Sequence, residues 1–416
     1  MQGSTWGLNP FILKILYQTV IEKIITYAAA VWVEPMQARK VRLLQSIQRP
    51  FALAMTRAYC TTSNHALCVL AGLIPLHLKA LQESTITKVK QLQQAVYLDD
   101  ILHSPVPFDT PAHPLTIHPS TFGKGLSVFL KGECQPPATT INIFTDGSKL
   151  DNSTGCAYVT YADNLPIFHW KGHMHSNNSV FQAECLALQQ AIAYATTLQA
   201  SSVNIFTDSL SALFALLNPR HSSSLIHSIQ QLLHDHDYPS IHLVWTKGHS
   251  GNAGNELADF LAKEAAANFQ AESVQIKWPY SYLKHAIFLQ TVSKWQAEWD
   301  SATTGRRTYY HLSYVDPARQ ITNPHLTRFI SGHGPFPVYF HRHRTTNIDL
   351  CVCGETGTPE HYLTSCELTR AHHIKMPSTN VQAFAKFMVK QPHLVKKISS
   401  IMSLLFDYGV DLCQTA

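Results

Sequence analysis

The stretch INIFTDGS, Ile141 to Ser148, decides how the middle of the chain folds, and SVNIFTDS, Ser202 to Ser209, repeats its pattern. In each, a β-branched and aromatic run ends in an aspartate followed by a turn residue, the signature of a strand that stops at an acid. In α/β sheets the carboxyl ends of strands are where chemistry is collected. Taken singly, Asp146 or Asp208 could do no more than cap the turn or helix that follows.

Working outward, GCAYVTYA (155–162) and LPIFHWKGHM (165–174) read as two further strands separated by turn residues. SVFQAECLALQQAIAYATTLQA (179–200) has the three-and-four spacing of an amphipathic helix, and LSALFALL (210–217) and SLIHSIQQLLHDH (224–236) are helical too. IHLVWTKGHS (241–250) is a fifth strand, and NELADFLAKEAAANF (255–269) a closing helix. The order β-β-β-α-β-α-α-β-α predicts an α/β fold, a mixed five-stranded sheet flanked by helices.

On the long helix, Phe181, Glu184, Leu188, Ala191 and Ala195 share one face, and that face is apolar. A carboxylate there costs several kcal/mol unless it is paired, protonated or bound to metal; the alternative is a glutamate at the edge of the stripe that reaches out to water. Asp259 has Leu257, Phe260 and Leu261 around it and is expected near a buried helix face, about one turn in from an opening at Gly254 or Asn255. Four acids from two strand ends and two helices would repel one another. Two divalent cations about 4 Å apart remove that cost and make a phosphodiester site. An all-oxygen ligand set suits Mg²⁺, with Mn²⁺ as a substitute.

FTDGSK, FQAECLAL, IFTDSLSAL and WTKGHSGNAGNELADFLAKEA, in that order over 138–271, resemble type 1 ribonuclease H. The resemblance implies a hydrolase that cuts the RNA strand of an RNA–DNA hybrid with two Mg²⁺, leaving 5′-phosphate and 3′-hydroxyl ends. It implies Asp146, Glu184, Asp208 and Asp259 as metal ligands, with Asp146 bridging both ions. It further implies His249 as an aid to proton transfer or product release, unless that residue is an ordinary loop histidine. Gly147, Ser148 and Gln182 are candidates for contacts to the 2′-OH. One departure stands out: residues 209–237 carry a single arginine, Arg220, and no basic cluster. Two other classes compete. A catalytically inactive nucleic-acid-binding remnant is disfavoured by four intact carboxylates, and a DNA-transferring integrase by the GHSGNAGNELAD block.

The flanks differ in charge. Residues 141–270 hold five Lys/Arg and ten Asp/Glu, whereas the rest of the chain holds 27 and 17. Basic flanks suit a polyanionic partner. Residues 1–94 read as helices throughout, and 95–137 as a Pro-rich linker. YLDD, Tyr97 to Asp100, matches the catalytic tetrapeptide of reverse transcriptases. The helical spacing of KVKQLQQAVYLDD instead predicts a solvent-side helix end, with no earlier aspartate to complete a metal site. The apolar run from Phe11 to Val33 is interrupted by Lys14, Glu22 and Lys23, which predicts an amphipathic helix and no membrane span. No signal peptide is evident. Six of the nine cysteines are scattered, as in a reducing intracellular compartment (nucleus or cytoplasm).

The other three cluster. Cys351, Cys353, His361 and Cys366 form a C-x-C-x7-H-x4-C set that can complete a structural Zn²⁺ site within a helical region at 275–416. Chance clustering is the alternative, and C-x-C is tighter than the usual C-x2-C. His341 and His343 in YFHRHR read as basic surface rather than ligands. The whole layout resembles the C-terminal part of a non-LTR (LINE-type) retrotransposon polyprotein of the R1, I or Jockey-like kind: a thumb-like helical segment, ribonuclease H, then a Cys/His motif. That resemblance implies a piece of a longer element lacking the polymerase palm, with other retroelement proteins as candidate partners.

Overall fold

The computed structural model describes residues 8–109, 122, 127–130, 136–150, 153–235, 239–267 and 271–408. The chain forms two compact units, Ser104–Lys284 and, joined together, Met1–His103 with His285–Ala416.

The unit Ser104–Lys284 is built on a seven-stranded mixed sheet. Its strands are β1 (Ser127–Phe129), β2 (Ile141–Leu150), β3 (Ser153–Ala162), β4 (Leu165–Met174), β5 (Ser202–Thr207), β6 (Ser240–Trp245) and β7 (Glu272–Ser273), in the spatial order β1-β6-β5-β2-β3-β4-β7. β2, β3 and β4 run antiparallel as a meander, while β2, β5, β6 and β1 run parallel. The five strands expected from sequence are all present, and two short edge strands extend them. β1 lies inside the segment expected as a Pro-rich linker; at three residues it is too short to show a period.

Helix α1 (Val180–Ala195) packs on one face of the sheet with α2 (Leu210–Leu216) and α3 (Ser224–Asp235), and α4 (Ala253–Ala267) covers the other. Strand alternation divides the core accordingly. Ile143 joins Leu188, Ala191, Ile205 and Ile229 under α1 and α3, whereas its neighbour Phe144 joins Val159, Ala258 and Ala262 under α4. Glycine permits the closest seams. A Cβ on Gly155 would lie 2.3 Å from the Ala262 carbonyl oxygen in α4, and one on Gly254 would lie 2.3 Å from the Phe144 ring.

In the other unit the two flanks share one core. Tyr59, Leu70 and Leu78 pack with Trp295, Trp299, Phe329, Phe336, Ile398 and Met402. The segment expected as one amphipathic helix is broken. Pro10–Leu16 passes into a π-helical turn, Tyr17–Ile21, then Glu22–Thr26, and the chain bends at Tyr27 before Ala29–Trp32. Its buried face is also not the apolar one. Lys14, Tyr17, Glu22 and Thr26 are buried, while Phe11, Ile12, Ile24 and Val31 are exposed. Lys14 Nζ donates to the carbonyls of Ala71, Pro317 and Arg319 at 3.0–3.1 Å, a cage of backbone acceptors that compensates its burial. Among the described residues no single helix is long and apolar enough to cross a membrane; the bent pair Asn64–Ala71 and Leu76–Lys90 passes by length and composition only.

YLDD corrects another expectation. It is not a helix end but the turn of a hairpin, Val96–Leu98 paired antiparallel with Ile101–His103. Asp99 and Asp100 take φ of 48° and 62°. Both lie in the left-handed region that a two-residue hairpin turn requires and that aspartate tolerates. The Asp99 carboxylate pairs with Lys294 at 2.5 Å. Neither aspartate belongs to a cluster of metal-ligating groups among the described residues.

Candidate active site

Register sets the site. Thr145 of β2 lies opposite Thr207 of β5 in a parallel pair, so the next residues, Asp146 and Asp208, emerge side by side. α1 then brings Glu184 over Gly147. A Cβ at that glycine would lie 2.5 Å from the Glu184 backbone nitrogen, so a hydrogen there is what admits the helix. One carboxylate oxygen from each of Asp146, Glu184 and Asp208 lies within 4.8 Å of the other two. Asp146 and Glu184 are each 7% exposed.

Burial and mutual repulsion show in the proton affinities. Burial, then the charges of Asp208 and Asp259, push the Asp146 carboxyl up to about 7. Burial, then Asp146 and Asp208, hold Glu184 well above the carboxylate range. Burial also raises Asp208, against a hydrogen bond from the Asn255 side chain and the nearby charge of His249. Glu184 Oε2 is buried with no hydrogen-bond partner. An enclosed carboxylate oxygen left open, beside two others, is an acceptor set that fits a hard divalent cation.

Asp259, in α4, stands outside the tight triple. It is coupled to Asp146 by charge and by a hydrogen bond, and its Oδ2 accepts from Lys263 Nζ at 2.6 Å. Of the neighbours expected to bury it, Phe260 is 62% exposed. His249 lies in the exposed loop before α4 with φ 50°. Gly248, beside it, faces Asp208; a Cβ there would lie 2.6 Å from Asp208 Oδ2.

Gln182 is engaged elsewhere. It forms a capping box with Ser179 at the start of α1, its Oε1 also accepts from Asn178 Nδ2 at 3.1 Å, and its Nε2 donates to the Lys277 carbonyl at 2.9 Å. Gly147 is buried and Ser148 half-buried at the mouth of the site. Asn255 is the residue that the sequence reading missed. It is 3% exposed, its side chain lowers the proton affinity of Asp208, and its Oδ1 is without a partner. It sits four residues before Asp259, on the same helix face, and that spacing was its signal.

The Cys/His set also converges. Cys351 Sγ and Cys366 Sγ are 3.7 Å apart, Cys353 Sγ and His361 Nε2 are 3.2 Å apart, and all four donor atoms lie within 4.8 Å of one another. A tetrahedral zinc site with Zn–S of about 2.3 Å has S···S edges of about 3.8 Å. The support is local. Gly354, at φ 89°, turns the chain between a Leu350–Thr356 bridge, and Thr358 caps the helix Pro359–Thr364 that carries His361. His361 Nδ1 meets Ser365 Oγ at 3.2 Å, which leaves Nε2 for the cluster. Burial opposes ionisation of Cys351, but the Cys353 backbone N–H and the Tyr362 hydroxyl hold its thiol down to about 6.

The site and its sheet define a class. Residues 138–267 match the RNase H family model, and the chain carries an RNase H domain there. More particularly, the retrovirus-related Pol polyprotein from type-1 retrotransposable element R1 4 of Nasonia vitripennis is 38% identical over 71 residues. That match spans 17% of this chain and 18% of the relative. Among solved structures, a foamy viral protease-reverse transcriptase in complex with dsDNA aligns at 20% identity and a TM-score of 0.28, over 32% of this chain and 98% of that one, too low a similarity to bear on the fold.

Proposed function

We propose that residues 138–271 hydrolyse the RNA strand of an RNA–DNA hybrid endonucleolytically, leaving 5′-phosphate and 3′-hydroxyl ends. The observation that carries this reading is the convergence of Asp146, Glu184 and Asp208, with proton affinities raised by burial and by one another and with one buried oxygen left open. Asp146, Glu184, Asp208 and Asp259 are the residues that would hold two Mg²⁺ or Mn²⁺. When bound, such ions supply the positive charge that activates water and stabilises a leaving oxygen.

The chain's own residues do the rest. Asp146 belongs to the triple and also feels the charge of Asp259. Asn255 orients Asp208. His249, on its exposed loop near Asp208, is assigned proton transfer at the mouth or release of product. The backbone at Gly147 and Ser148 is assigned the minor-groove contact. Gln182 stays a candidate for the same contact, its side chain serving the helix cap and the Lys277 carbonyl in the free chain.

Cys351, Cys353, His361 and Cys366 would hold a structural Zn²⁺, and the basic flanks would contact nucleic acid outside the hybrid site. Origin in a retrotransposon polyprotein, with other retroelement proteins as partners, follows from the R1 relative in the same proposal. The test presents one sequence as RNA–DNA hybrid, double-stranded RNA, double-stranded DNA and single-stranded RNA. Cutting of the RNA in the hybrid alone supports the reading. Tight binding of the hybrid without cutting would make the chain an inactive binder instead.

A further inference from the structure

In the unit formed by the flanks, five short helices line a cavity of about 670 Å³: Arg306–His311, Pro324–Ser331, Pro337–Arg342, Pro359–Thr364 and Val381–Met388. The volume lies within the roughly 300–1,000 Å³ of pockets that take small ligands. The cavity stands beside the Cys/His cluster, since the helix carrying His361 forms one wall, and nothing in the hybrid site uses it.

The lining has two characters. The floor is apolar, with Phe336 and Met388 each 1% exposed and Leu363 2% exposed. The walls bring three guanidinium groups, Arg306, Arg307 and Arg342, against a single carboxylate, Glu360. Arg306 is engaged internally, donating to the carbonyls of Trp299 and Asp300 and lying 3.9 Å from the Tyr309 ring centroid. Arg307 crosses Gly332, where a Cβ would lie 2.5 Å from its Cδ. Its Nη1 pairs with Glu360 at 2.5 Å and its Nε donates to the Phe329 carbonyl, while its Nη2 is enclosed with no partner. Arg342 is exposed at the rim, makes no ion pair among the described residues, and leads into exposed His341, His343 and Arg344.

An apolar lining that includes the half-buried ring of Tyr310, and a cationic rim that continues as a basic ridge, together describe a ligand. It has an apolar, ring-sized body joined to an anion at the mouth and to further anions beyond. A base in a duplex cannot reach such a cavity; an unstacked one can. We propose that the cavity takes one unstacked nucleotide of a single-stranded nucleic acid, its base inside against Tyr310 and its phosphate on Arg342. The inference deepens the reading in which the flanks contact nucleic acid and rests on that reading.

The experiment uses the full chain carrying Asp146→Asn and a fluorescent single-stranded oligonucleotide with one 4-thiouridine. Binding is followed by anisotropy and contacts by photo-crosslinking and peptide mass spectrometry. The expected crosslinks fall within residues 303–311 or 329–342. Val381→Trp, which places a ring in the cavity, and Arg342→Ala, at the exposed rim, each weaken binding about tenfold, the worth of one stacked base. Melting curves check that both variants fold, and should Val381→Trp fail, Arg342→Ala decides. Crosslinks confined to other segments, or affinity unchanged in the folded variants, overturn the inference. A nucleoside monophosphate that binds where the oligonucleotide does not would also overturn it, in favour of a free-nucleotide site. Hybrid cleavage by the unsubstituted chain is read in parallel. Its absence counts against the catalytic reading and leaves the crosslinks to decide this one.

Discussion

Glu184 Oε2 and Asn255 Oδ1 are both buried without partners. At the scale of single residues, they separate what the chain displays from what it conceals. Glu184 was legible because an acid in the apolar stripe Phe181–Leu188–Ala191 is a local contradiction. Asn255 was not, because its neighbours Asn252 and Gly254 make it look like part of a helix cap, and its partner Asp208 is remote in sequence. Loss of this residue tests its role. Asn255→Ala is expected to lower hybrid cleavage about 10–100-fold and to raise the Mg²⁺ concentration needed for half-maximal rate, the usual cost of losing a group that orients a metal ligand. A titration of rate against Mg²⁺ reads both.

Asp146 gives a pH prediction. Its folded value of about 7 lies above the unfolded value of about 3.9. The folded, metal-free chain therefore holds a proton that the unfolded chain has released. Stability from this group is fully present below pH of about 4 and is lost as pH rises through about 7. Asp146→Asn removes the titration. Without divalent metal, the variant is expected to melt above the parent chain at pH 8 and close to it at pH 4, as measured by circular dichroism. Equal melting temperatures at pH 8 would contradict the electrostatic strain assigned to the triple.

Among the elements, the long strands and α1 were readable because each has an undisturbed period over many residues. The failures have physical reasons too. Val96–Leu98, Ile101–His103 and Ser127–Phe129 have three residues each, too few to show alternation, and two aspartates at positive φ turn the hairpin where glycine or asparagine would have announced it. In the N-terminal segment the apolar period pointed to the wrong face, because a cage of carbonyls makes Lys14 a buried residue. The seam between β2 and α1 carries the element-scale prediction. Gly147→Ala forces a methyl group against the backbone of Ala183 and Glu184 and is expected to cost about 1–3 kcal/mol in denaturant unfolding. It should reduce cleavage as well, since the same seam holds Glu184 over Asp146.

For the whole molecule, the flanks are one unit rather than two arms, because Trp295, Trp299 and Phe329 pack with Leu70 and Leu78 across more than 200 residues of sequence. Tertiary pairing over that separation leaves no local trace, so helical spacing is visible on both sides while their common core is not. The Cys/His set was legible from spacing, and its 3.7 Å and 3.2 Å edges fit a tetrahedron. Purified chain is expected to carry one zinc per molecule by elemental analysis. Cys366→Ser should lose it and lower the melting transition of the flanking unit.

The central claim is that Asp146, Glu184 and Asp208 act as one metal-dependent hydrolytic site. Its most direct test is the rate of RNA cleavage in an end-labelled RNA–DNA hybrid with Mg²⁺, for the parent chain and for Asp146→Asn of verified fold. The expected result is cleavage of the RNA strand to 5′-phosphate and 3′-hydroxyl ends, abolished by chelator and reduced at least about a thousandfold in the variant. Cleavage that survives Asp146→Asn, or a folded, metal-supplied parent chain that leaves the RNA intact, would contradict it.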